Sequence, residues 1–258
     1  MANPLKKETY KVSANRLNKF IACKYKLYLY LMDAPTTEHD TRYIDAGLAA
    51  HAYLEKALKN RTLVWPSEEE YDTMFREFNV TDPEMKARVK TSIQSGIAFL
   101  MIVDIDNAEA EKIILKEFVT PKGRNVTIDA RLDLLISGEN GLIVDYKTGM
   151  NVNKPEYSLQ MQVYRFVTDF AYKAMCISLL SKEQSIVDKS NENFIPMLCD
   201  KYIDAIEGND FERTEGYMCR FCEYYNDYCS EENRYRDPRT MISEGSERDV
   251  PTIEEEDI

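Results

Sequence analysis

Two neighbouring stretches of this 258-residue chain decide its fold: residues 128–135 read IDARLDLL, and residues 141–149 read GLIVDYKTG. Both are rich in apolar and β-branched residues, and residues 137–140 between them (SGEN) have the composition of a turn. The two stretches therefore predict a β-hairpin. Each strand carries a carboxylate, Asp133 in the first and Asp145 in the second. Because an isolated buried carboxylate is very costly, both need partners.

The spacing of the charged residues sets the geometry of this hairpin. Asp145 and Lys147 lie on one face of their strand, because side chains alternate with a period of two. In an antiparallel pair, the numbers of two facing residues add up to the same sum all along the hairpin. Asp133 and Asp145 lie on the same face only if this sum is even, and an even sum requires a loop with an odd number of residues. We therefore predict a loop of three or five residues centred on Glu139, with one of its glycines or its asparagine at positive φ.

The hairpin carboxylates suggest a chemical role. Asp133 and Asp145 together could hold a hard divalent cation with Lys147 beside it, which is the arrangement needed to hydrolyse a phosphodiester with metal-bound water. The alternative is an ion pair at the end of a sheet. Four further polar residues lie on neighbouring predicted elements: an inward-facing His51, Glu117 on the preceding strand, and Gln160 with Tyr164 one helical turn apart. Each of these four is ordinary by itself, and a lone inward histidine is commonly a satisfied core residue.

Residue periodicity predicts the order of elements. Helical patterning covers the first hundred residues, with helices over about 13–30 and 45–60, from Ser67 with its capping-box partner Glu70, and from Asp82 onward. The later elements are strand-like runs at 112–119, 126–136 and 142–147, a helix at 155–174, a strand near 177–180 and a helix at 195–206. We predict a mixed α/β fold: a central mixed sheet of βββαβ order after an all-helical N-terminal region.

The predicted domain organisation is simple. Residues 1–243 are expected to form a single domain, with a helical part at about 13–104, a core at about 110–208 and a cysteine loop at about 209–230. The acidic tail at 244–258 lacks apolar periodicity, so we expect it to be disordered.

Charge and apolar runs exclude some classes of protein. The net charge of −12 alone argues against a polyanionic partner. However, residues 1–30 carry seven basic groups and one acidic group, so the chain begins basic and ends acidic. No apolar run approaches the roughly 20 residues that span a bilayer. The N-terminus has no signal-peptide pattern, so we expect a cytoplasmic protein without membrane contact.

Four cysteines have the spacing of a ligand set. Cys219, Cys222 and Cys229 form a tight group, and Cys23 stands alone near the N-terminus. Disulfides are not expected in a reducing compartment. Three close thiols and one distant thiol predict four ligands for one centre.

Taken in order, these residues resemble the PD-(D/E)XK nuclease superfamily, and within it the RecB-like nuclease domains and the CRISPR-associated exonucleases (Cas four). The matching motifs are Gly47/His51, Glu117, the R-L-D of 131–133, the V-D-Y-K-T-G of 144–149, Gln160/Tyr164, and Cys23 with Cys219, Cys222 and Cys229. The resemblance covers residues from about 13 to 229. It implies a restriction-endonuclease-like core closed by a cysteine cluster.

The resemblance also implies roles for the site residues. His51, Asp133, Asp145 and the carbonyl of Tyr146 would be the metal ligands. Lys147 would orient or activate the attacking water, Glu117 would be a supporting acid, and Gln160 and Tyr164 would position the nucleic-acid backbone and the lysine. Mg²⁺ or Mn²⁺ suits such ligands, and Mn²⁺ tolerates the histidine better. The four cysteines resemble a [4Fe–4S] site, with structural Zn²⁺ as the alternative.

The function implied by the resemblance is a metal-dependent DNA exonuclease that prefers single-stranded ends. Recombination, DNA processing and CRISPR adaptation are the roles it suggests, with a helicase or a recombination or adaptation protein as partner. The sequence holds no G-x4-G-K-[ST] motif, so unwinding would come from another chain. The alternative is a catalytically idle DNA-binding or assembly subunit with a zinc site. The complete set of polar site residues favours the enzyme.

Overall fold

The computed structural model describes residues 8–36, 41–139 and 141–231. Its first half contains β1 (Thr9–Ser13), α1 (Ala14–Ala22), α2 (Lys24–Leu31), α3 (Arg42–Lys59), α4 (Glu68–Glu77) and α5 (Pro83–Leu100). Its second half contains β2 (Ala108–Val119), β3 (Asn125–Ile136), β4 (Leu142–Lys147), α6 (Pro155–Val167), β5 (Lys173–Ser178), β6 (Gln184–Val187) and α7 (Phe194–Glu207). Short 3-10 turns at Ile105–Asn107 and Tyr217–Phe221 and a π turn at Tyr225–Cys229 complete the described elements.

The described strands form one mixed sheet, which confirms the predicted fold class. The strand order is β1-β3-β4-β5-β6, and β2 pairs with β3 along its whole length. The other edge of β3 is shared: its first half pairs with β1 in parallel, and its last residues pair with β4 in antiparallel orientation. The β4–β5 pair is parallel, and α6 provides the crossover connection that two parallel strands need.

The β3–β4 hairpin has the predicted parity. The pairs Leu134↔Val144 and Ile136↔Leu142 leave a five-residue loop, residues 137–141, with Glu139 at its centre. Gly138 has a φ of 116°, which only glycine adopts readily. These pairs confirm the predicted loop length, and the same register continued by one residue would put Asp133 opposite Asp145. Asn140 lies outside the described residues.

The N-terminal region differs from the prediction in two ways. It contains a strand, β1, which was not predicted because its alternation of buried Tyr10 and Val12 lasts only five residues. The single helix predicted over 13–30 is two helices, because Cys23 has an extended backbone and precedes the first turn of α2. Ser13 does lie at a helix start, where its Oγ accepts a hydrogen bond from the Arg16 backbone N–H.

Around β5 the predicted boundaries were also wrong. The helix predicted to reach residue 174 ends at Val167, because Asp169 and Phe170 both adopt left-handed conformations. The following strand, β5, consequently starts at Lys173. The edge strand β6 has four residues, too few for its alternation to be recognised in the sequence.

Three helices pack against one face of the sheet. The capping box at Ser67 and Glu70 and the Asp82 cap are confirmed, and they start α4 and α5. Helix α5 approaches α3 closely at Gly96, where an added Cβ would lie 2.5 Å from the Leu54 side chain. The core that these helices share with the sheet includes Leu134, Val144, Tyr146, Met175 and Ile177. Helix α3 is thereby fixed over the ends of the central strands.

The chain divides into two compact units. The first comprises residues 1–18 and 40–204 and contains the sheet, and the second comprises residues 19–39 and 205–258 and contains four of the cysteines. The single domain over 1–243 stays a prediction, and the acidic tail at 244–258 lies outside the described residues. Within the described ranges, none of the helices has both the length and the apolar character needed to cross a bilayer.

Candidate active site

Three side chains in the first unit converge at one end of the sheet. His51 of α3, Glu111 of β2 and Asp133 of β3 each place one ligand atom so that all three atoms lie within 4.8 Å of one another. The His51 Nδ1 lies 3.5 Å from Asp133 Oδ2, which also accepts a 2.7 Å hydrogen bond from the Tyr146 backbone N–H. Two carboxylates and an imidazole are a donor set that fits Mg²⁺ or Mn²⁺.

Glu111 reaches this group through an unusual backbone. The pairs Ala110↔Leu134 and Lys112↔Leu132 flank it, so it stands opposite Asp133 in the ladder. Its φ of 52° is uncommon for a residue with a side chain, and such conformations persist where surrounding structure imposes them. Burial raises the pKa of Glu111, and the nearby charge of Asp133 raises it further, although Arg131 pairs with it.

The acid predicted for this position was Glu117, and the structure does not bring it to the group. Glu117 pairs with Thr127 farther along β2, and its side chain is exposed. One signal in the sequence could have identified Glu111. The β2–β3 turn is centred on Lys122, and facing residues lie equally far before and after that centre. Glu111 is as far before Lys122 as Asp133 is after it, so these two residues face each other.

Asp145 lies next to the three-ligand group but is held by other partners. It is 2% exposed. Its Oδ1 accepts hydrogen bonds from Gln160 Nε2 at 2.9 Å and from the Tyr164 hydroxyl at 3.2 Å, and its Oδ2 lies 2.6 Å from Lys147 Nζ. Burial, followed by the charge of Asp133, raises the pKa of Asp145 to about 6 despite the ammonium beside it.

Lys147 occupies the centre of a polar network. Its Nζ donates a 2.9 Å hydrogen bond to Gln160 Oε1 and lies 4.6 Å from the centre of the Tyr157 ring. Burial lowers the pKa of Lys147, but the carboxylates of Asp145 and Asp133 outweigh burial and raise it overall. The side chain is therefore a fixed ammonium at neutral pH.

Gln160 and Tyr164 lie one turn apart on α6 and connect the charged residues. The Gln160 amide bridges Lys147 and Asp145, and its Nε2 lies 2.6 Å from the Tyr164 hydroxyl oxygen. Burial raises the pKa of Tyr164 well above its ordinary value, so the hydroxyl keeps its proton. The structure thus brings these two predicted residues to Asp145 and Lys147.

Helix α3 approaches the segment after β4 closely at a glycine. A Cβ at Gly47 would lie 3.2 Å from Thr148 Oγ1, in the segment that follows β4. One turn farther along α3, the His51 ring meets the Tyr146 ring edge-on, with centroids 6.1 Å apart. Burial lowers the pKa of His51, but the Asp133 carboxylate reverses this effect and raises it overall.

The four predicted cluster cysteines lie together in the second unit, and all are free and partly buried: Cys23, Cys219, Cys222 and Cys229. Thr214 joins two of them, because its N–H donates to Cys23 Sγ at 3.4 Å and its carbonyl accepts from Cys219 Sγ at 3.6 Å. Burial raises the pKa of Cys229 to about 11, and the other three thiols contribute to the rise. In the described part of the chain, no three of these sulfurs are mutually within 4.8 Å.

The lysines near Cys23 are paired within the second unit. Lys19 and Lys26 form ion pairs with Glu223 at 3.5 and 2.6 Å, and Lys24 pairs with Asp210. Three of the seven basic side chains in residues 1–30 are therefore paired with carboxylates.

Comparison with known proteins identifies the family of this chain. The PD-(D/E)XK nuclease superfamily model matches residues 11–230, and no curated protein matches the chain. A solved structure, "Crystal structure of SSO0001", is similar at 16% identity with a TM-score of 0.41, over 69% of this chain and 94% of that one. The superfamily match implies a nuclease that uses divalent metal ions and has DNA as its substrate. Because the match spans most of its length, the chain belongs to the PD-(D/E)XK nuclease superfamily.

Proposed function

We propose that this nuclease is a DNA exonuclease that digests from single-stranded ends. The observation that carries the hydrolytic part of the proposal is the meeting of two sets of groups at the end of β4, and the exonuclease mode and the single-strand preference follow from the resemblance to the RecB-like and CRISPR-associated exonucleases. The His51, Glu111 and Asp133 group can hold a cation, and the Lys147 ammonium lies one strand away, fixed by Gln160. Metal-dependent hydrolysis of a phosphodiester uses a site for a cation, and a positioned polar group beside the scissile phosphate assists it.

His51, Glu111 and Asp133 would hold the cation, and we propose Asp145 and the Tyr146 carbonyl as further ligands. A bound Mg²⁺ or Mn²⁺ supplies Lewis-acid stabilisation of phosphoryl oxygens and a water of lowered pKa. The Tyr146 N–H keeps the Asp133 carboxylate directed toward β4, because the two are hydrogen-bonded at 2.7 Å. The strand pair therefore fixes this ligand before any substrate arrives.

Lys147 would orient the attacking water and neutralise charge that develops on the phosphate. Its position is set from two sides, by the Asp145 carboxylate and by the Gln160 amide oxygen. The Tyr164 hydroxyl donates to the same carboxylate and so limits its rotation. A group fixed in this way contributes without reorganisation at the moment of reaction.

For the second unit we propose a structural [4Fe–4S] cluster rather than zinc. Zinc with four thiolates at about 2.3 Å holds its sulfurs about 3.8 Å apart. Among the described residues, no three of the four sulfurs lie mutually within 4.8 Å, so they do not have this zinc spacing. The split of the ligands between Cys23 and the 219–229 segment supports placement with the RecB-like and CRISPR-associated (Cas four) exonucleases.

Metal analysis tests the cluster. Protein purified without oxygen should be brown and contain iron and acid-labile sulfide, and the Cys222→Ser variant should lose both together with thermal stability. The matched control is Cys199→Ser, a buried cysteine of α7 outside the four. Stoichiometric zinc with no iron would replace the proposal with the zinc site.

Substrate topology tests the activity. Linear single-stranded DNA labelled at either end, circular single-stranded DNA, blunt duplex DNA and RNA are incubated with the protein and Mn²⁺. We expect only linear single-stranded DNA to be degraded rapidly, no digestion by Lys147→Met, and native activity in the control Lys154→Met on the same side of the site. Equal cleavage of circular DNA would show an endonuclease, and binding without cleavage would show the idle subunit.

The biological role that we propose is DNA processing in recombination or CRISPR adaptation, in the cytoplasm and together with a helicase or an adaptation protein. This role follows from the proposed preference for single-stranded ends, because duplex substrates would first have to be opened. Duplex DNA should become a substrate when an ATP-dependent helicase is added, and unchanged resistance would contradict the role.

A further inference from the structure

The first turns of α3 expose three large side chains near the active site. Tyr43 is 51% exposed, Ile44 is 60% exposed and Leu48 is 54% exposed. Single exposed apolar residues are normal on protein surfaces. These three lie within six residues of one helix, however, and Ile44 and Leu48 are neighbours one turn apart. They form an apolar surface, which we name the α3 platform.

The Tyr43 ring is fixed in place from the protein side. The Arg88 guanidinium of α5 lies 5.2 Å from the centre of this ring. The same guanidinium donates a 3.1 Å hydrogen bond to the carbonyl of Thr148, the residue after Lys147. One side chain therefore connects the platform to the catalytic end of β4, while half of the tyrosine stays open to solvent.

The platform is at a distance that a substrate strand can span. Tyr43, Gly47 and His51 follow one another at single-turn intervals along α3, and Gly47 contacts the segment after β4. Eight residues of helix correspond to about 12 Å between Tyr43 and His51. A DNA strand advances about 3.4 Å per nucleotide when stacked and roughly twice that when stretched. The ring therefore lies about two to four nucleotides from a phosphate held at His51.

From these contacts we propose that Tyr43, backed by Arg88, stacks on a base of the single-stranded DNA end bound in the active site. The inference rests on the proposed exonuclease function and adds a base-binding position to it. Every base has a π face, so aromatic stacking is independent of sequence. Duplex DNA keeps its bases stacked on one another, so the platform selects unpaired nucleotides. The guanidinium behind the ring adds a cation–π interaction.

The test combines protein variants with damaged substrates. Tyr43→Ala and Tyr43→Phe are compared with the native chain and with Trp65→Ala, a control on the α3–α4 connection where Trp65 is 59% exposed. Each protein digests single-stranded oligonucleotides that carry one abasic site, moved from one to six nucleotides away from the first cleaved phosphate. Binding of the same oligonucleotides is measured by fluorescence anisotropy with Ca²⁺ in place of Mn²⁺.

We expect Tyr43→Ala to raise KM about fivefold to 100-fold on intact DNA with little change in kcat, as loss of one stacked base predicts. Tyr43→Phe and Trp65→Ala should behave like the native chain. In the native chain, an abasic site at one position, two to four nucleotides from the cleaved phosphate, should cause a similar loss. The same abasic site should cause no further loss in Tyr43→Ala, because the lost contact is the same one.

Two results separate this inference from the function on which it rests. The stacking position would be wrong if the native protein cleaves normally and Tyr43→Ala has the native KM, or if Tyr43→Ala loses as much as the native chain at the abasic site. Either result would leave the proposed exonuclease activity standing. Native protein that neither cleaves nor binds single-stranded DNA would overturn the proposed function itself. The abasic scan of the native chain keeps the test valid even if Tyr43→Ala folds poorly.

Discussion

Replacing Glu111 with glutamine removes one of the two carboxylates of the ligand group and preserves the size of the side chain. Glu111 is largely buried, with 11% of its side chain exposed, and its ligand atom lies within 4.8 Å of those of His51 and Asp133. Glu117 is exposed on the same strand and apart from the group. Glu117→Gln is therefore the matched control, and the pair decides which acid serves the metal.

The expected loss follows from the spacing of the ligands. The ligand atoms lie within 4.8 Å of one another, so one cation can lie about 2.4 Å from each carboxylate oxygen, which is an ordinary oxygen–cation distance. Even at the dielectric constant of water, a charge of +2 gains about 3.5 kcal/mol from one carboxylate at that distance. The repulsion between Glu111 and Asp133 is the same with and without the cation and so cancels, which leaves about 3.5 kcal/mol, or roughly 370-fold in affinity. The glutamine oxygen recovers part of this, so we expect a loss of about 10-fold to 100-fold.

Titration calorimetry with Mn²⁺ measures this affinity, and single-stranded DNA cleavage at increasing Mn²⁺ gives an independent value. The concentration of Mn²⁺ at half-maximal rate should rise for Glu111→Gln by the same factor as the dissociation constant. Glu117→Gln should match the native chain in both assays. A larger effect of Glu117→Gln, or native affinity in Glu111→Gln, would refute the assignment of Glu111.

Three other changes probe the support of the site. Asp200→Ala removes a 4% exposed partner of Arg124 and should lower the free energy of unfolding by about 3 kcal/mol in urea titrations, without changing the kcat of the folded fraction; unchanged stability would contradict this. Gly96→Ala places a Cβ 2.5 Å from Leu54 and should destabilise the chain by about 1–2 kcal/mol, although alanine favours helix; a higher melting temperature would disprove it. Gln160→Leu should lower kcat about 100-fold with nearly native Mn²⁺ affinity, whereas an equal fall in affinity would place Gln160 among the ligands.

The sequence specified the hairpin well because few registers satisfy its constraints. The hairpin has two apolar strands with one charged face each and a short loop that contains two glycines. The only feature left open is whether the loop has an odd or an even number of residues. The requirement that Asp133 and Asp145 share a face then selects a loop of odd length, and the structure has five residues centred on Glu139. Long amphipathic helices such as α3 and α5 were recognised for a similar reason, since their apolar periodicity repeats over 18 residues.

The sequence was less informative where the local pattern is short or symmetrical. Strands β1 and β6 have five and four residues, so their alternation is scarcely distinguishable from a loop. Glu111 and Glu117 lie six positions apart, so the strand period places both on the same face. Their difference comes from pairing with β3, which only the position of the turn at Lys122 indicates in the sequence, and from the positive φ of Glu111, which no pattern of residue types contains.

The order of residues in β4 explains how one strand serves both layers of the structure. Asp145 and Lys147 point toward α6, where Gln160 contacts both. Tyr146, between them, points the other way, and its ring packs against His51 of α3. Its backbone N–H meanwhile holds Asp133 of the neighbouring strand. Because side chains alternate along a strand, Asp145 and Lys147 can share a face only with one residue between them. That residue is Tyr146, and its ring connects β4 to α3, the helix that carries His51.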